Sequence, residues 1–378
     1  MQVLLARIFG PSAFGAFGLA IAVQHLAMIA QDGGFRPLLM REAARPSAEL
    51  AHLGARLPSL AFGHAVAVTL PALAVAIAIG GFGISTLLLL AVFGGLAKVL
   101  TGFVSGMMMG EGRFVDEARW QVVIRIFTAA AAVAAALVLA DPAFVLLSLL
   151  VAQIVCLLPT LHGTALPLPA PAWDRIAYAF AAKMAALALL TALYFRTGPL
   201  FIYWITGDLV AVSHFSLLHR FLDAALFVVA PIAQIAFFSS RRNLGLIRFD
   251  RTGKTAAALW VAALLAASIA AFAFGRDIVA AVAGDVYAPA GGLAGWFALA
   301  LLAAGPNYLM MQILIARHRE NRIIVASAVA VSFGVVANLL AIPLYGAVGA
   351  SMAILCSEAV LFALLAHALS GRSPPGRR

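Results

Sequence analysis

The sequence has few charged residues, only two cysteines and no polar stretch long enough for a soluble domain. Of its 378 residues, 11% are charged and 64% are hydrophobic, and the mean hydropathy is +1.04. This composition excludes an ordinary soluble protein, and the length exceeds that of a single membrane anchor. Cys156 and Cys356 lie inside apolar runs, which favours neither a disulfide framework nor a metal site. The sequence therefore predicts an all-α, polytopic membrane protein.

Motifs of common catalytic and nucleotide-binding sites are also missing. The sequence contains no GxxxxGK[ST] phosphate loop, no HExxH, no CxxC and no GxSxG. Their absence disfavours an ATP-driven pump and the common hydrolases. We therefore expect a protein that is not an enzyme and that uses no cofactor or metal.

Apolar runs separated by Gly, Pro and charged residues predict eleven full membrane spans, since about 20 helical residues cross the hydrocarbon layer. The predicted spans are Phe14–Met40, Arg56–Ile79, Ile84–Met109, Arg119–Ala140, Phe144–Leu161, Ile176–Ile205, Leu209–Phe238, Thr255–Phe274, Gly292–Ala316, Ile323–Ile342 and Ala347–Leu369. A short apolar stub, Met1–Phe9, precedes them and ends at Gly10-Pro11. A truncated first helix explains this stub better than a signal peptide, because the apolar run continues past any plausible cleavage point.

The net charge of +10 is explained by membrane topology rather than by nucleic-acid binding. Most Lys and Arg residues lie at alternate ends of the predicted spans, as in the basic loop from Arg241 to Lys254, and these ends are expected to be cytoplasmic. This pattern places the C-terminus in the cytoplasm and the protein in the inner (plasma) membrane. A complete first helix would give twelve spans with both termini inside.

A Pro-rich stretch near the middle of the chain predicts a division into two lobes. Residues 167–175 contain PLPAPAW and are predicted to be a cytoplasmic linker. The N-terminal lobe would comprise residues 1–166 and the C-terminal lobe residues 176–378. Many transporters are built from two such halves.

Ionisable residues inside the predicted spans are the strongest functional signal, because charge in hydrocarbon is costly unless it faces a cavity or a partner. Arg220 and Asp223 are spaced i, i+3, so they form either a purely structural ion pair or part of a cavity. Lys98 and Glu358 lie near the predicted midplane and are a candidate interhelical pair. For Arg7 and Arg196, which have no local carboxylate, a wet cavity that receives anions is favoured over snorkelling.

Polar residues on the first full span extend this candidate cavity. They are Gln24, His25, Gln31 and Asp32. A single His in a membrane is more often a packing residue than a functional one, so both interpretations stay open for His25. An excess of cations over acids suits a diphosphate-bearing substrate, because the guanidinium fork matches phosphate oxygens.

Several stretches together resemble the polysaccharide and O-antigen flippases of the MOP superfamily, which also includes the MATE antiporters and the peptidoglycan lipid flippase. They are LLARIFGPSAFGAFGLA (4–20), QDGGFRPLLMREAAR (31–45), the run 195–238, GDVYAPAGGL (284–293), ARHRENR (316–322) and ANLLAIPLYGAVGASMAILCSE (337–358). The resemblance covers essentially the whole chain. It implies a MATE-like two-lobe bundle with a truncated first helix.

The resemblance also implies a central cavity lined chiefly by helices one, two, seven and eight of the family pattern. Carried onto this sequence, the cationic lining is Arg7, Lys183, Arg196 and Arg220, and the polar or acidic lining is Gln24, His25, Asp32 and Asp223. Family members often have a carboxylate shortly after the helix-seven arginine, whereas Thr197-Gly198-Pro199 follows Arg196 here. Ion coupling through that acid is therefore not expected.

The combined prediction is an inner-membrane flippase that moves a polyprenyl-diphosphate-linked oligosaccharide by alternating access, for O-antigen, capsule or exopolysaccharide synthesis. Its partners would be this substrate, the phospholipid bilayer and polysaccharide assembly proteins, with no nucleic acid. One alternative is a MATE-type multidrug or cation antiporter, which would use buried carboxylates. Another is a membrane glycan polymerase or ligase, for which the only sizeable outer loop offers Arg276, Asp277 and Asp285.

Overall fold

The computed structural model describes residues 1–54, 56–163, 173–243, 251–317 and 319–370. These residues form twelve α-helices and one short 3-10 helix, and no strand is assigned among them. The helices are α1 (Gln2–Asp32), α2 (Phe35–Ala44), α3 (Arg56–Gly110), α4 (Phe114–Val138), α5 (Pro142–Gly163), α6 (Arg175–Arg196), α7 (Gly198–Thr206), α8 (Leu209–Asn243), α9 (Arg251–Ala283), α10 (Gly291–Ala316), α11 (Glu320–Tyr345) and α12 (Ala347–Ser370), with the 3-10 helix Asp285–Ala290 between α9 and α10. The all-α prediction is confirmed.

The described helices correspond to most of the predicted spans. Among the described residues, nine helical segments of at least 18 residues are apolar enough to cross a membrane, and a tenth, Pro142–Leu158, is slightly shorter. The remaining predicted span, Ile176–Ile205, corresponds to α6 and α7 together. The chain is therefore a multi-pass membrane protein.

Helix α1 contains the predicted break after the N-terminal stub. Gly10 has φ 75° and ψ 169°, which interrupts the helix, and Pro11 follows it without a backbone N–H to donate. The rings of Phe9 and Phe17 lie 5.8 Å apart, although a straight helix would separate the two residues by about 12 Å along its axis. The stub therefore bends sharply relative to the rest of α1.

The first full span is shorter than predicted. We expected a helix to Met40, but α1 ends at Asp32 and a separate helix, α2, begins at Phe35. Gly33 and Gly34 between them have φ values of 54° and 80°, a left-handed conformation that glycine adopts without strain. Two left-handed residues in succession stop a helix even where the apolar pattern continues.

Helix α3 is a hairpin of two spans, α3a (Arg56–Gly80) and α3b (Ile84–Gly110). The amide nitrogen of Gln31 donates to both the Thr69 hydroxyl and the Val92 carbonyl, at 3.0 and 3.3 Å. In one straight helix Thr69 and Val92 would be about 35 Å apart. The chain therefore reverses near Gly80, whose absent β-carbon would lie 2.9 Å from the backbone of Ser85.

The chain divides into two compact units, residues 1–196 and 197–378. In the first unit α6 packs against α1 and α2, and in the second α7 packs against α8, α11 and α12. The predicted single span Ile176–Ile205 is therefore wrong, because it breaks at Thr197 and its parts belong to different units. The predicted linker 167–175 lies mostly outside the described residues, and the lobe boundary at that linker stays a prediction.

Candidate functional site

The first unit holds a buried amide beside an intramembrane lysine. Gln24 of α1 is 4% exposed, and its Nε2 donates to the Ala91 carbonyl of α3b at 3.2 Å. Its Oε1 accepts a 2.8 Å hydrogen bond from the Nζ of Lys98, which lies about two helical turns beyond Ala91 on α3b. Gly94 makes room for this amide, because a β-carbon there would lie 2.5 Å from Gln24 Nε2. Lys98 is thus held by a neutral group.

Gln31 has a structural role that the sequence did not indicate. It is fully buried, and its two hydrogen bonds tie α1 to both halves of the α3 hairpin. Gly95 gives it space, since a β-carbon at this position would lie 3.0 Å from Gln31 Oε1. The pair Gly94-Gly95 therefore accommodates two glutamines of α1.

The other polar residues of α1 make local hydrogen bonds. The Nδ1–H of His25 donates to the Ile21 carbonyl at 2.7 Å, and this bond is typical of a packing residue. The Asp32 carboxylate accepts a 3.0 Å bond from the Gly34 N–H and so stabilises the corner between α1 and α2. Their place in a substrate cavity stays a prediction.

Three predicted cationic residues lie in helices of the first unit. Arg7 on the N-terminal part of α1 and Lys183 on α6 are exposed, while Arg196, the last residue of α6, is half-buried. Their joint contribution to a cavity is likewise a prediction, because it depends on both units.

In the second unit, α8 carries a charged cluster that confirms the predicted local ion pair. Arg220 Nη1 lies 3.3 Å from Asp223 Oδ2, and the same oxygen lies 3.6 Å from His219 Nδ1. The His219 ring also packs against Phe215 and Phe297, with centroid distances of 6.0 and 6.1 Å. Sequence reasoning missed His219, although its i, i+4 spacing from Asp223 was a usable signal.

A second buried pair in this unit joins α10 to α12. Glu358 is 1% exposed, and Asn307 Nδ2 donates to its Oε2 at 2.6 Å and to its backbone carbonyl at 2.9 Å. No pattern in the sequence singled out Asn307. Lys98 bonds to Gln24, and Glu358 bonds to Asn307, so each of the two charged residues has a partner within its own unit. A pair between Lys98 and Glu358 stays a prediction.

Arg36 shows why α3b contains the spacing Gly102–Gly106. The carbonyl oxygen of Arg36 would lie 3.1 Å from a β-carbon at Gly106, and its Cδ 3.5 Å from one at Gly102. The two glycines therefore form a groove for the backbone and side chain of Arg36, as expected of small residues at helix contacts. The Arg36 guanidinium reaches Ser105, which donates to Glu117 of α4 at 2.7 Å.

Polar contacts connect the N-terminal end of α6 to other parts of the first unit. Asp174 accepts hydrogen bonds from the Ala177 N–H and the His52 Nε2–H, at 2.8 and 2.7 Å. These bonds, the backbone one foremost, hold the pKa of Asp174 below its ordinary value. One turn later, the Tyr178 hydroxyl lies 3.3 Å from His64 Nδ1, while His64 Nε2 bonds to Ala30 at the end of α1.

Among the described residues, no group of three or more His, Cys, Asp and Glu side chains is placed to hold a metal ion. Cys156 and Cys356 are free thiols.

The fold is that of the MOP superfamily of transporters. The structure is similar to that of the lipid II flippase MurJ in an inward closed conformation, with a TM-score of 0.75 and 11% identity over 98% of this chain and 84% of that chain. It also matches an inward-facing multidrug resistance MATE transporter of the same superfamily, with a TM-score of 0.62 and 13% identity over 96% and 92% of the two chains.

A third match is a MOP superfamily transporter from Pyrococcus furiosus, whose structure was described as having a binding pocket of reverse polarity. Its TM-score is 0.54 at 13% identity, over 98% of this chain and 90% of that chain. No family model and no curated protein matches the sequence. At such identities the structural matches establish the fold and leave substrate and activity to be argued from the residues.

Proposed function

We propose that this protein is a flippase that moves a polyprenyl-diphosphate-linked oligosaccharide from the cytoplasmic to the outer leaflet by alternating access. The product would serve O-antigen, capsule or exopolysaccharide synthesis at the bacterial inner membrane, with the C-terminus of the protein in the cytoplasm. Substrate, bilayer lipid and polysaccharide assembly proteins are its proposed partners. The MOP fold supports the transport mode, and the intramembrane charges support the substrate class.

The charges of the candidate helices carry this proposal. Four cations, Arg7, Lys183, Arg196 and Arg220, stand against two acids, and both acids already bond to protein groups. Asp32 accepts from the backbone of Gly34, and Asp223 lies against Arg220. A diphosphate offers acceptor oxygens to Arg and Lys, so a site with excess cation favours it over an organic cation.

Alternating access explains why such a site would lie inside the membrane. The headgroup of the substrate is polar and cannot cross hydrocarbon unaided, while its lipid can stay in the bilayer. Charged residues in the spans are costly, and a substrate of opposite charge offsets that cost during transport. No covalent chemistry is required.

The test measures translocation of a polyprenyl-diphosphate-linked oligosaccharide in reconstituted vesicles. The accessibility of the glycan to a lectin reports how much of the substrate has been translocated. We expect Arg196→Gln and Arg220→Gln to lower the rate about tenfold or more, since each removes a charge-assisted hydrogen bond. Arg276→Gln is the matched control, because Arg276 is exposed and outside the candidate set. The triple variant combines Arg7→Gln, Arg196→Gln and Arg220→Gln. If it translocates the substrate at the wild-type rate, the proposal is refuted.

A MATE-type antiporter remains the competing function, and it predicts the opposite dependence on charge. Uptake of a cationic dye driven by a proton or sodium gradient would then require Asp32 and Asp223. Dye uptake that is lost in Asp32→Asn and Asp223→Asn, together with no glycan translocation in the wild type, would favour the antiporter.

A further inference from the structure

A cavity of about 400 Å³ lies in the first unit, at the end of the α3 hairpin where Arg56 and Gly110 are found. Its walls are formed by α2, by residues 46–54 and by the two ends of α3. Gly110 lets the last turn of α3b approach α2 closely, because a β-carbon there would overlap the Met40 carbonyl oxygen. The volume falls within the roughly 300–1,000 Å³ that is typical of ligand pockets. The described residues that line it are not those of the predicted substrate cavity.

The floor of this cavity is apolar and well packed. It includes Leu39, Leu50 and Leu57, which are almost completely buried. All three belong to a buried cluster that joins α2, α3 and α6. Met107 of α3b also lines the cavity, and its flexible thioether adapts to different apolar shapes. The cavity can therefore take up an apolar group without a large rearrangement of the core.

The charged groups of the described lining are the carboxylates of Glu42 and Glu111. Glu42 is oriented by hydrogen bonds from the backbone N–H and the hydroxyl of Ser47, at 2.8 and 3.0 Å, and by the Arg41 guanidinium at 2.7 Å. Burial raises the pKa of Glu42, but these bonds outweigh it and hold the pKa below its ordinary value. A fixed, ionised carboxylate thus borders the apolar floor.

Glu111 is the more mobile of the two acids and can turn towards a ligand. Its side chain is 47% exposed, and its contact with Arg113 is long, at 3.5 Å. Arg113 also lies 3.3 Å from Asp116, so it keeps an anionic partner when Glu111 moves away. Glu111 can therefore accept a bond from a cation in the cavity at little cost.

We propose that this cavity is a further binding site, which takes an organic cation with an apolar body. The body packs on Leu39, Leu50 and Leu57, and the cationic group lies against Glu111 at the rim. Among the described residues, the lining holds two carboxylates and no cation, so a ligand of negative charge is disfavoured. The site thus has the opposite charge preference to the proposed substrate cavity and does not depend on it.

A packing gap that any apolar molecule enters is the other account of this cavity. Two molecules of the same shape separate the two accounts. Benzyltrimethylammonium has a positive nitrogen where neopentylbenzene has a neutral carbon. A packing gap takes up the neutral molecule at least as well, whereas a site bordered by carboxylates selects the cation.

The experiment measures binding of benzyltrimethylammonium to the purified full-length protein in a neutral detergent by equilibrium dialysis, with neopentylbenzene as the competitor. We expect saturable binding with a Kd of about 1 mM or lower. Ala51→Phe fills the cavity from an exposed position of its lining and should weaken binding about tenfold. Glu111→Gln should weaken it about threefold or more, because it removes the charge at the rim.

The matched controls are Ala48→Phe and Glu49→Gln, which should bind the cation as the wild type does. Both residues are exposed and belong to the same segment of the chain, and neither is among the described lining residues. Unfolding midpoints close to that of the wild type will show that the four variants are folded. Should Ala51→Phe not fold, Glu111→Gln decides the question, since its side chain is half-exposed.

Three results would overturn the proposal. The first is an absence of saturable binding, and the second is equally strong binding of neopentylbenzene at the same site. The third is wild-type affinity in folded Glu111→Gln and Ala51→Phe variants. If binding is lost instead in Asp32→Asn and Asp223→Asn, the cation occupies the predicted substrate cavity, and that result favours the antiporter over the flippase.

Discussion

The two units hold their buried charges in different ways. In the first unit a cation, Lys98, bonds to a neutral amide, while in the second a cation, Arg220, bonds to a carboxylate. The second unit also has a buried carboxylate, Glu358, that bonds to the amide of Asn307. Changing an amide to a carboxylate should therefore have opposite consequences in the two units, and this contrast can be tested.

The largest expected effect is that of Asn307→Asp in the second unit. It places a second carboxyl group 2.6 Å from the Glu358 carboxylate and removes the bond to the Glu358 carbonyl. Because two buried carboxylates cannot both be ionised at this distance, we expect a loss of about 3 kcal/mol in unfolding free energy. Thermal unfolding in detergent measures this loss of unfolding free energy.

The matched variant in the first unit is Gln24→Glu, which makes the same chemical change beside Lys98. Here the new carboxylate meets a cation, so the unfolding midpoint should not fall. Equal destabilisation by Asn307→Asp and Gln24→Glu would show that burial alone, and not the charge of the partner, decides the effect.

A second comparison concerns two glycines with positive φ, one in each unit. Gly34 has φ 80°, and a β-carbon there would overlap the Ala181 carbonyl of α6, whereas Gly207 has φ 68° and open space around it. Gly207→Ala should cost about 1 kcal/mol of backbone strain, and Gly34→Ala about 2 kcal/mol in total because the steric overlap adds to the strain. Unfolding midpoints of the two variants test this order.

One result would contradict this predicted order. Equal midpoints for Gly34→Ala and Gly207→Ala would mean that α6 does not press on the corner between α1 and α2.

A smaller effect is expected at the ion pair of α8. Asp223→Asn removes the carboxylate next to Arg220, and the two side chains are 22% and 23% exposed. Because single polar contacts inside membrane bundles contribute on the order of 0.6 to 1.7 kcal/mol, we expect a loss of about 1 kcal/mol. The control is Asp277→Asn, an exposed acid of α9. A midpoint shift no larger than that of the control would contradict a stabilising pair.

The smallest effect is the pH dependence of the contact between Asp174 and His52. The pKa of Asp174 is lowered, so its carboxylate stabilises the fold above the ordinary pKa, and this stabilisation is lost as the pH falls through the lowered value. Asp174→Asn should thus unfold at a lower temperature than the wild type at pH 7, and the two midpoints should converge only as the pH falls below the lowered pKa of Asp174. A difference that persists at low pH would contradict this account.

Local patterns in the sequence predicted the spans and the Arg220–Asp223 pair, since both depend on residues close together in the chain. The partners of Lys98 and Glu358 could not be predicted in this way. Gln24 lies 74 residues before Lys98, and Asn307 lies 51 residues before Glu358. Such pairs depend on which helix faces meet, and the residue pattern along one chain does not define these faces.

Helix ends were misjudged where the apolar pattern continued through a backbone break. Gly33-Gly34 stops α1 although Phe35, Leu38 and Leu39 are again apolar and buried. Thr197-Gly198-Pro199 likewise separates α6 from α7 inside an apolar run. Hydropathy reports burial or lipid contact, whereas the backbone conformation at glycine and proline decides where a helix ends.

The most direct measurement of the central claim compares the binding of undecaprenyl diphosphate and undecaprenol to the purified wild-type protein at two salt concentrations. If intramembrane cations recognise the diphosphate, its affinity should exceed that of the alcohol at least about tenfold. Added salt should weaken only the diphosphate complex. Equal affinities, unaffected by salt, would contradict the account.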